Sequence, residues 1–169
     1  MKAKFLVGIG LAAVLTLGGP AWAQDKASQK FIKEAIEGNL AEVQMGQLAQ
    51  KNGNTDGVRS FGQTLEKDHS DANQKATSAA NSVGVTPPTE PSKKQKSDYE
   101  RMSKMTGSRF DSEFAKHMVA DHKKDIKEYE NEAKKNDAAA SYAKETLPTL
   151  RKHLETAQSL AGAATTGRH

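Results

Sequence analysis

The sequence predicts an all-α protein built as a four-helix bundle. Three observations carry this. Apolar residues recur at intervals of three and four along four stretches, no stretch shows the period-two alternation of a half-buried strand, and capping and turn residues separate the stretches. With 169 residues, 36% hydrophobic and 27% charged, the chain suits one modest domain. It has no cysteine, which excludes disulfides, thiolate metal sites and cysteine nucleophiles. Any chemistry must therefore come from His, Asp, Glu, Met or Tyr. A mean hydropathy of -0.75 excludes a multi-span membrane protein.

Lys2 and Lys4 precede an uncharged apolar run from Phe5 to Leu17, followed by Gly18-Gly19-Pro20 and the small-residue box Ala21-Trp22-Ala23. This reads as a signal peptide over residues 1–23, cut before Gln24, and implies export to the periplasm. The run is too short to span a bilayer, which takes about 20 residues. Cleavage leaves 146 residues with 23 basic against 21 acidic side chains, so most of the apparent basicity disappears. No nucleic-acid partner is expected: the Lys93-Lys94-Gln95-Lys96 run lacks interleaved aromatics, follows prolines and reads as a solvated linker.

The domain is expected over residues 24–161, with a flexible tail at 162–169. Phe31, Ile32, Ala35, Ile36, Leu40, Val43 and Leu48 mark a first helix over 26–51, ended by Asn52-Gly53. Thr55 and Asp56 begin a second, with Val58, Phe61, Leu65, Ala72, Ala76 and Ala79 inward, and Gly84 stops it. Pro87, Pro88 and Pro91 make a linker, and Tyr99, Met102 and Met105 suggest a short helix. Ser108 with Asp111 resembles a cap for the third long helix, whose stripe is Phe114, Met118, Ile126, Tyr129 and Ala133. Asn136-Asp137 separates it from the last helix, where Pro148 should impose a kink or restart.

The short first and last connections predict two antiparallel hairpins. Residues 84–108 are long enough to run the length of a helix, a crossover that would leave the second and third long helices parallel, as in ferritin-like bundles. An up-down bundle with short loops is the alternative. The second and third helices also echo each other: Phe61, Leu65 and Asp68-His69 align without gaps on Phe114, Met118 and Asp121-His122.

His69 and His122 fall on the apolar stripes of their helices, and His153 lies beside Leu150, Leu154 and Ala157. On the first helix Glu42 is the best-placed inward carboxylate, with Gly38 and Gly46 leaving room for a close neighbour. Glu42 and His69 have their midpoint at 55.5, and His122 and His153 at 137.5, each beside its own turn. Both pairs should then lie about 20 Å from their turns, at one depth of a bundle with parallel crossover. Imidazoles and a carboxylate converging there would suit one transition-metal ion, such as Zn, Cu or Fe. Glu66 and Met118 are further candidates. Glu66 forms a Glu-x-x-His with His69, half of the di-iron pattern, but Val119 stands at the matching position before His122, against a symmetric di-iron oxidase. No phosphate loop, nucleophile elbow or His-Glu-x-x-His is present, so no reaction is assigned and the reading leans away from an enzyme.

Phe31 with Glu42-Val-Gln-Met-Gly46, Asp68-His69, Phe110-Asp111, Asp121-His122 and Leu147-Pro148-x-Leu150-x-x-His153-Leu154 resemble a bacterial exported family known as a domain of unknown function. Its members are often labelled putative membrane or outer-membrane proteins and are grouped with ferritin-like bundles. The resemblance covers about residues 27–161 and implies fold and periplasmic address, not a reaction. Two function classes follow: a bundle that binds a metal in its interior, or a non-catalytic structural or interaction protein of the envelope whose core histidines are structural.

Overall fold

The computed structural model describes residues 26–166, with side chains described through residue 163. The expected signal peptide over 1–23 and the last three residues of the tail lie outside the described residues. The chain forms α1 (Lys26–Asn52), α2 (Asp56–Ser82), α3 (Lys93–Ser103), α4 (Gly107–Glu132) and α5 (Ala138–Thr166), and no strand occurs among the described residues. None of these helices is long and apolar enough to cross a membrane.

Local chemistry sets the helix ends. Thr55 Oγ1 accepts from the Val58 amide at 3.4 Å, starting α2. Gly84, at φ +71°, ends it by letting the Val85 amide reach back to the Ala80 carbonyl at 2.9 Å. The basic run expected to be a solvated linker is instead the first turn of α3. A Ser92–Gln95 capping box starts that helix and Lys94 pairs with Asp98, one turn on, at 2.7 Å. Asp137 Oδ1 caps α5 through the Ala140 amide at 2.8 Å.

Two expectations need correction. Ser108 does not cap α4, because the helix already includes Gly107 and Asp111 is turned inward. The Asp111 carboxylate accepts from the Asn54 and Thr55 amides at 2.8 and 3.0 Å, tying the α1–α2 turn to α4. Pro148 does not restart α5, which is helical throughout. Pro148 and Lys144 are both exposed, so the Lys144 carbonyl that proline cannot serve lies where water reaches it. α5 itself runs to Thr166.

Contacts at the helix ends fix the directions. Ser28, at the start of α1, donates to Glu132 at the end of α4 at 2.5 Å, so these two helices run oppositely. Asp111 joins the start of α4 to the start of α2, so those run the same way. Lys75–Glu145 and Asp68–His153 pair α2 with α5 in opposite directions. α3 lies in the segment between α2 and α4. The backbones of α1 and α2 come close at two glycines: a Cβ on Gly46 would stand 2.6 Å from the Gly62 carbonyl oxygen. A Cβ on Gly38, by contrast, would meet only Gln95 Nε2, at 3.9 Å.

Two apolar clusters fill the interior. One contains Ile32, Ile36, Ala76, Tyr129, Tyr142 and Leu150; the other contains Met45, Leu65, Phe61, Phe114, Met118 and Ala157. His69, His122 and His153 fall between them along α2, α4 and α5, with buried Asn39 and Glu42 contributed by α1.

Candidate metal centre

Helical spacing delivers each histidine to this layer. His69 follows Leu65 by one turn, His122 follows Met118 by one turn and His153 follows Leu150 by three residues, so each imidazole continues a buried stripe. All three are nearly inaccessible, at 3, 1 and 3% exposure. Each offers one ring nitrogen to a common point, and these atoms all lie within 4.8 Å of one another. Among the described residues no other group of His, Asp and Glu converges in this way.

The outward nitrogens fix the tautomers. His69 Nδ1 donates to Asn39 Oδ1 at 3.0 Å, His122 Nδ1 to the Met118 carbonyl at 3.0 Å, and His153 Nε2 to Asp68 Oδ2 at 3.0 Å. A neutral imidazole has one donor, so the inward nitrogens, His69 Nε2, His122 Nε2 and His153 Nδ1, carry lone pairs. His122 Nε2 and His153 Nδ1 are 3.3 Å apart. With both rings neutral in these tautomers, neither of those two nitrogens can donate to the other. His69 Nε2 is buried without a hydrogen-bond partner.

Electrostatics keep the rings neutral. Burial pushes His69 well below the ordinary histidine value, with His122 and His153 adding to the effect. Burial, then His153, lowers His122 to about 4. Burial also lowers His153, against the opposing pull of Asp68. Neutral imidazoles are the form that metals bind.

Other expected ligands are placed differently. Glu42 is buried, but its Oε1 is 4.0 Å from His122 Nδ1, the outward nitrogen, so it stands behind that ring rather than with the three lone pairs. Burial raises the Glu42 carboxyl well above its usual range, with Asp121 and Asp125 adding to the effect, and its Oε2 has no hydrogen-bond partner. The structure does not bring Glu66 to the histidines. It lies at the α1–α2 edge, accepting from Gln47 at 2.9 Å and Gln50 at 2.6 Å. Met118 contributes its carbonyl to His122, while its side chain packs in the apolar cluster.

Two important residues escaped the sequence reading. Asn39, one turn before Glu42 on α1, occupies the place against His69 and donates through Nδ2 to Tyr142 at 2.9 Å; Tyr142 in turn bonds Tyr129 at 3.1 Å. Its position on the buried stripe of Ile32, Ala35 and Ile36 was the available signal. Asp68, marked in the sequence only through the Asp68-His69 pair, orients His153 and lies 3.6 Å from Lys67.

A cleft of about 320 Å³ opens between α1, α3 and α4, with His69 and Glu42 on its walls. His117, off the inward stripe, faces this cleft and pairs with Asp121 at 3.1 Å.

Comparison with solved structures places the fold beside the crystal structure of a DUF305 fragment from Deinococcus radiodurans. The TM-score is 0.71 at 11% identity, over 81% of this chain and 96% of that one. At that identity the likeness concerns fold alone. Comparison with curated proteins finds no match. The family model described as a domain of unknown function, DUF4142, matches residues 18–160, and the chain belongs to that family.

Proposed function

We propose that the chain binds one borderline transition-metal ion, of the Zn, Cu or Fe class, through His69 Nε2, His122 Nε2 and His153 Nδ1. The observation that carries this is the convergence of three buried lone pairs whose rings are each locked from behind by Asn39, the Met118 carbonyl or Asp68. Metal-bound histidines characteristically tie their second nitrogen to a carboxylate or carbonyl, which sets tautomer and ring orientation. An ion about 2.05 Å from both His122 Nε2 and His153 Nδ1 would see them about 107° apart, given their 3.3 Å separation, close to the tetrahedral angle. His69 Nε2, within 4.8 Å of both, would close in to complete three protein ligands and leave a fourth position open.

We read the surrounding architecture as a ferritin-like bundle with α3 in its crossover, and the protein as exported and periplasmic through residues 1–23. The bound ion and bundle would serve the envelope without an assigned reaction.

Equilibrium dialysis of chelator-stripped protein against Zn²⁺, Cu²⁺ and Co²⁺, followed by elemental analysis, tests the site. One equivalent per chain is expected, and none after His122→Ala with helicity retained. Binding that survives His122→Ala would refute the assignment.

A further inference from the structure

The cleft beside the histidines has an unusual charge. Glu34, Glu37, Glu42, Asp121, Asp125 and Glu128 line it, three from α1 facing three from α4. Of the two lysines on its walls, Lys124 already pairs with Glu128 at 3.0 Å and lies 3.6 Å from Asp125, while Lys94 is held by Asp98 at 2.7 Å. Asp121 and Asp125 are one helical turn apart, a like-charge spacing that costs stability. Glu34 pairs with Lys30 at 3.2 Å and Asp121 with His117 at 3.1 Å, yet the walls still carry more carboxyl groups than lysines.

Two further observations give it direction. The buried, partnerless acceptors Glu42 Oε2 and His69 Nε2 both belong to residues on the walls of this cleft. Glu42 is only 6% exposed, so its partnerless Oε2 lies deep in the cleft wall, beside the His122 ring. The cleft is also roomy. Six waters at about 30 Å³ each, the first shell of a hydrated divalent ion, occupy about 180 Å³, well within its 320 Å³.

We infer that this acidic cleft is a loading site for hydrated divalent transition-metal cations, in which the rim carboxylates collect the ion and Glu42 hands it to His69. The inference rests on the proposed histidine centre. It assigns Glu42 a kinetic role, contacting the ion in transit, and not a place in the final ligand set. Carboxylate-lined clefts concentrate cations and raise their arrival rates by roughly 10- to 1,000-fold, an advantage that salt removes.

Stopped-flow mixing of the chelator-stripped protein with Co²⁺, followed through the visible bands of the bound ion, reads loading directly. Glu42→Gln should slow loading about tenfold or more and slow release in parallel, leaving Kd within about threefold of wild type. Asp121→Asn with Asp125→Asn should slow it too and flatten its dependence on NaCl. Glu66→Gln, away from the cleft, should change nothing. Unchanged loading in both cleft variants, with Co²⁺ still bound, overturns this inference alone. Weakened affinity at an unchanged loading rate in Glu42→Gln makes Glu42 a resident ligand and also overturns it. Absence of Co²⁺ binding to the wild type defeats the histidine centre itself.

Discussion

His122→Leu should remove a measurable share of the protein's acid sensitivity. In the metal-free protein His122 titrates at about 4, held down first by burial and then by His153, whereas in the unfolded chain it titrates near 6.5. A histidine lowered on folding contributes stability above its unfolded value and loses it as pH falls. Here the loss begins near 6.5 and is complete near 4. Between pH 6.5 and 5 the unfolded chain takes up a proton that the native protein refuses, which costs about 2 kcal/mol at 1.36 kcal/mol per unit. His69 and His153 act in the same sense, and Glu42 and Asp125, both raised, act in the opposite one. The informative quantity is therefore the difference between wild type and His122→Leu, which cancels their shared contributions. Urea unfolding followed by circular dichroism, with chelator present, should show that difference shifting by about 1 M in midpoint between pH 7.5 and 5, for a slope of about 2 kcal/mol per M. A difference that stays flat with pH would show that His122 titrates normally, and the buried, neutral cluster would be wrong.

Glu42→Gln should raise the stability of the metal-free protein at neutral pH. A carboxyl whose value is raised on folding loses stability as pH climbs above its unfolded value, and glutamine does not titrate; an unchanged or lower urea midpoint at pH 7.5 would count against its burial. Gly46→Ala places a Cβ 2.6 Å from the Gly62 carbonyl oxygen and 2.9 Å from the Glu66 amide, so α1 and α2 must separate at a cost of about 1–3 kcal/mol, seen as a Tm lower by several degrees. Gly38→Ala, whose nearest neighbour would be Gln95 at 3.9 Å, should instead be neutral or stabilise by up to about 1 kcal/mol in the same thermal scan. Asp111→Ala strips the Asn54 and Thr55 amides of their acceptor and should destabilise by about 1–3 kcal/mol by urea titration.

The long helices and the inward histidines were legible because both follow from periodicity: an imidazole that replaces an apolar residue on a stripe must point where the stripe points. Their common depth was legible for a similar reason, since a tight turn fixes which residues of an antiparallel pair are level. Partnership between helices was not. Asn39 rather than Glu42 meets His69, a choice set by how α1 packs on α2, which neither helix shows alone. Asp111 looked like a local cap by spacing, yet the nearby α1–α2 turn had free amides that only the folded chain brings within 3.0 Å. Glu66 matched half of a ligand motif, but three residues before His69 is far enough around the helix to face Gln47 and Gln50 on α1. The basic run at 93–96 was misread because its charges concealed the Ser92–Gln95 cap.

X-ray absorption at the metal edge of the Zn²⁺- or Cu²⁺-loaded protein tests the central claim most directly. One ion per chain should show three imidazole nitrogens at about 2.0–2.1 Å, with their outer-ring scattering, and one imidazole fewer after His153→Gln. Failure to retain an ion, or a shell of carboxylate and water oxygens without imidazole scattering, would contradict it.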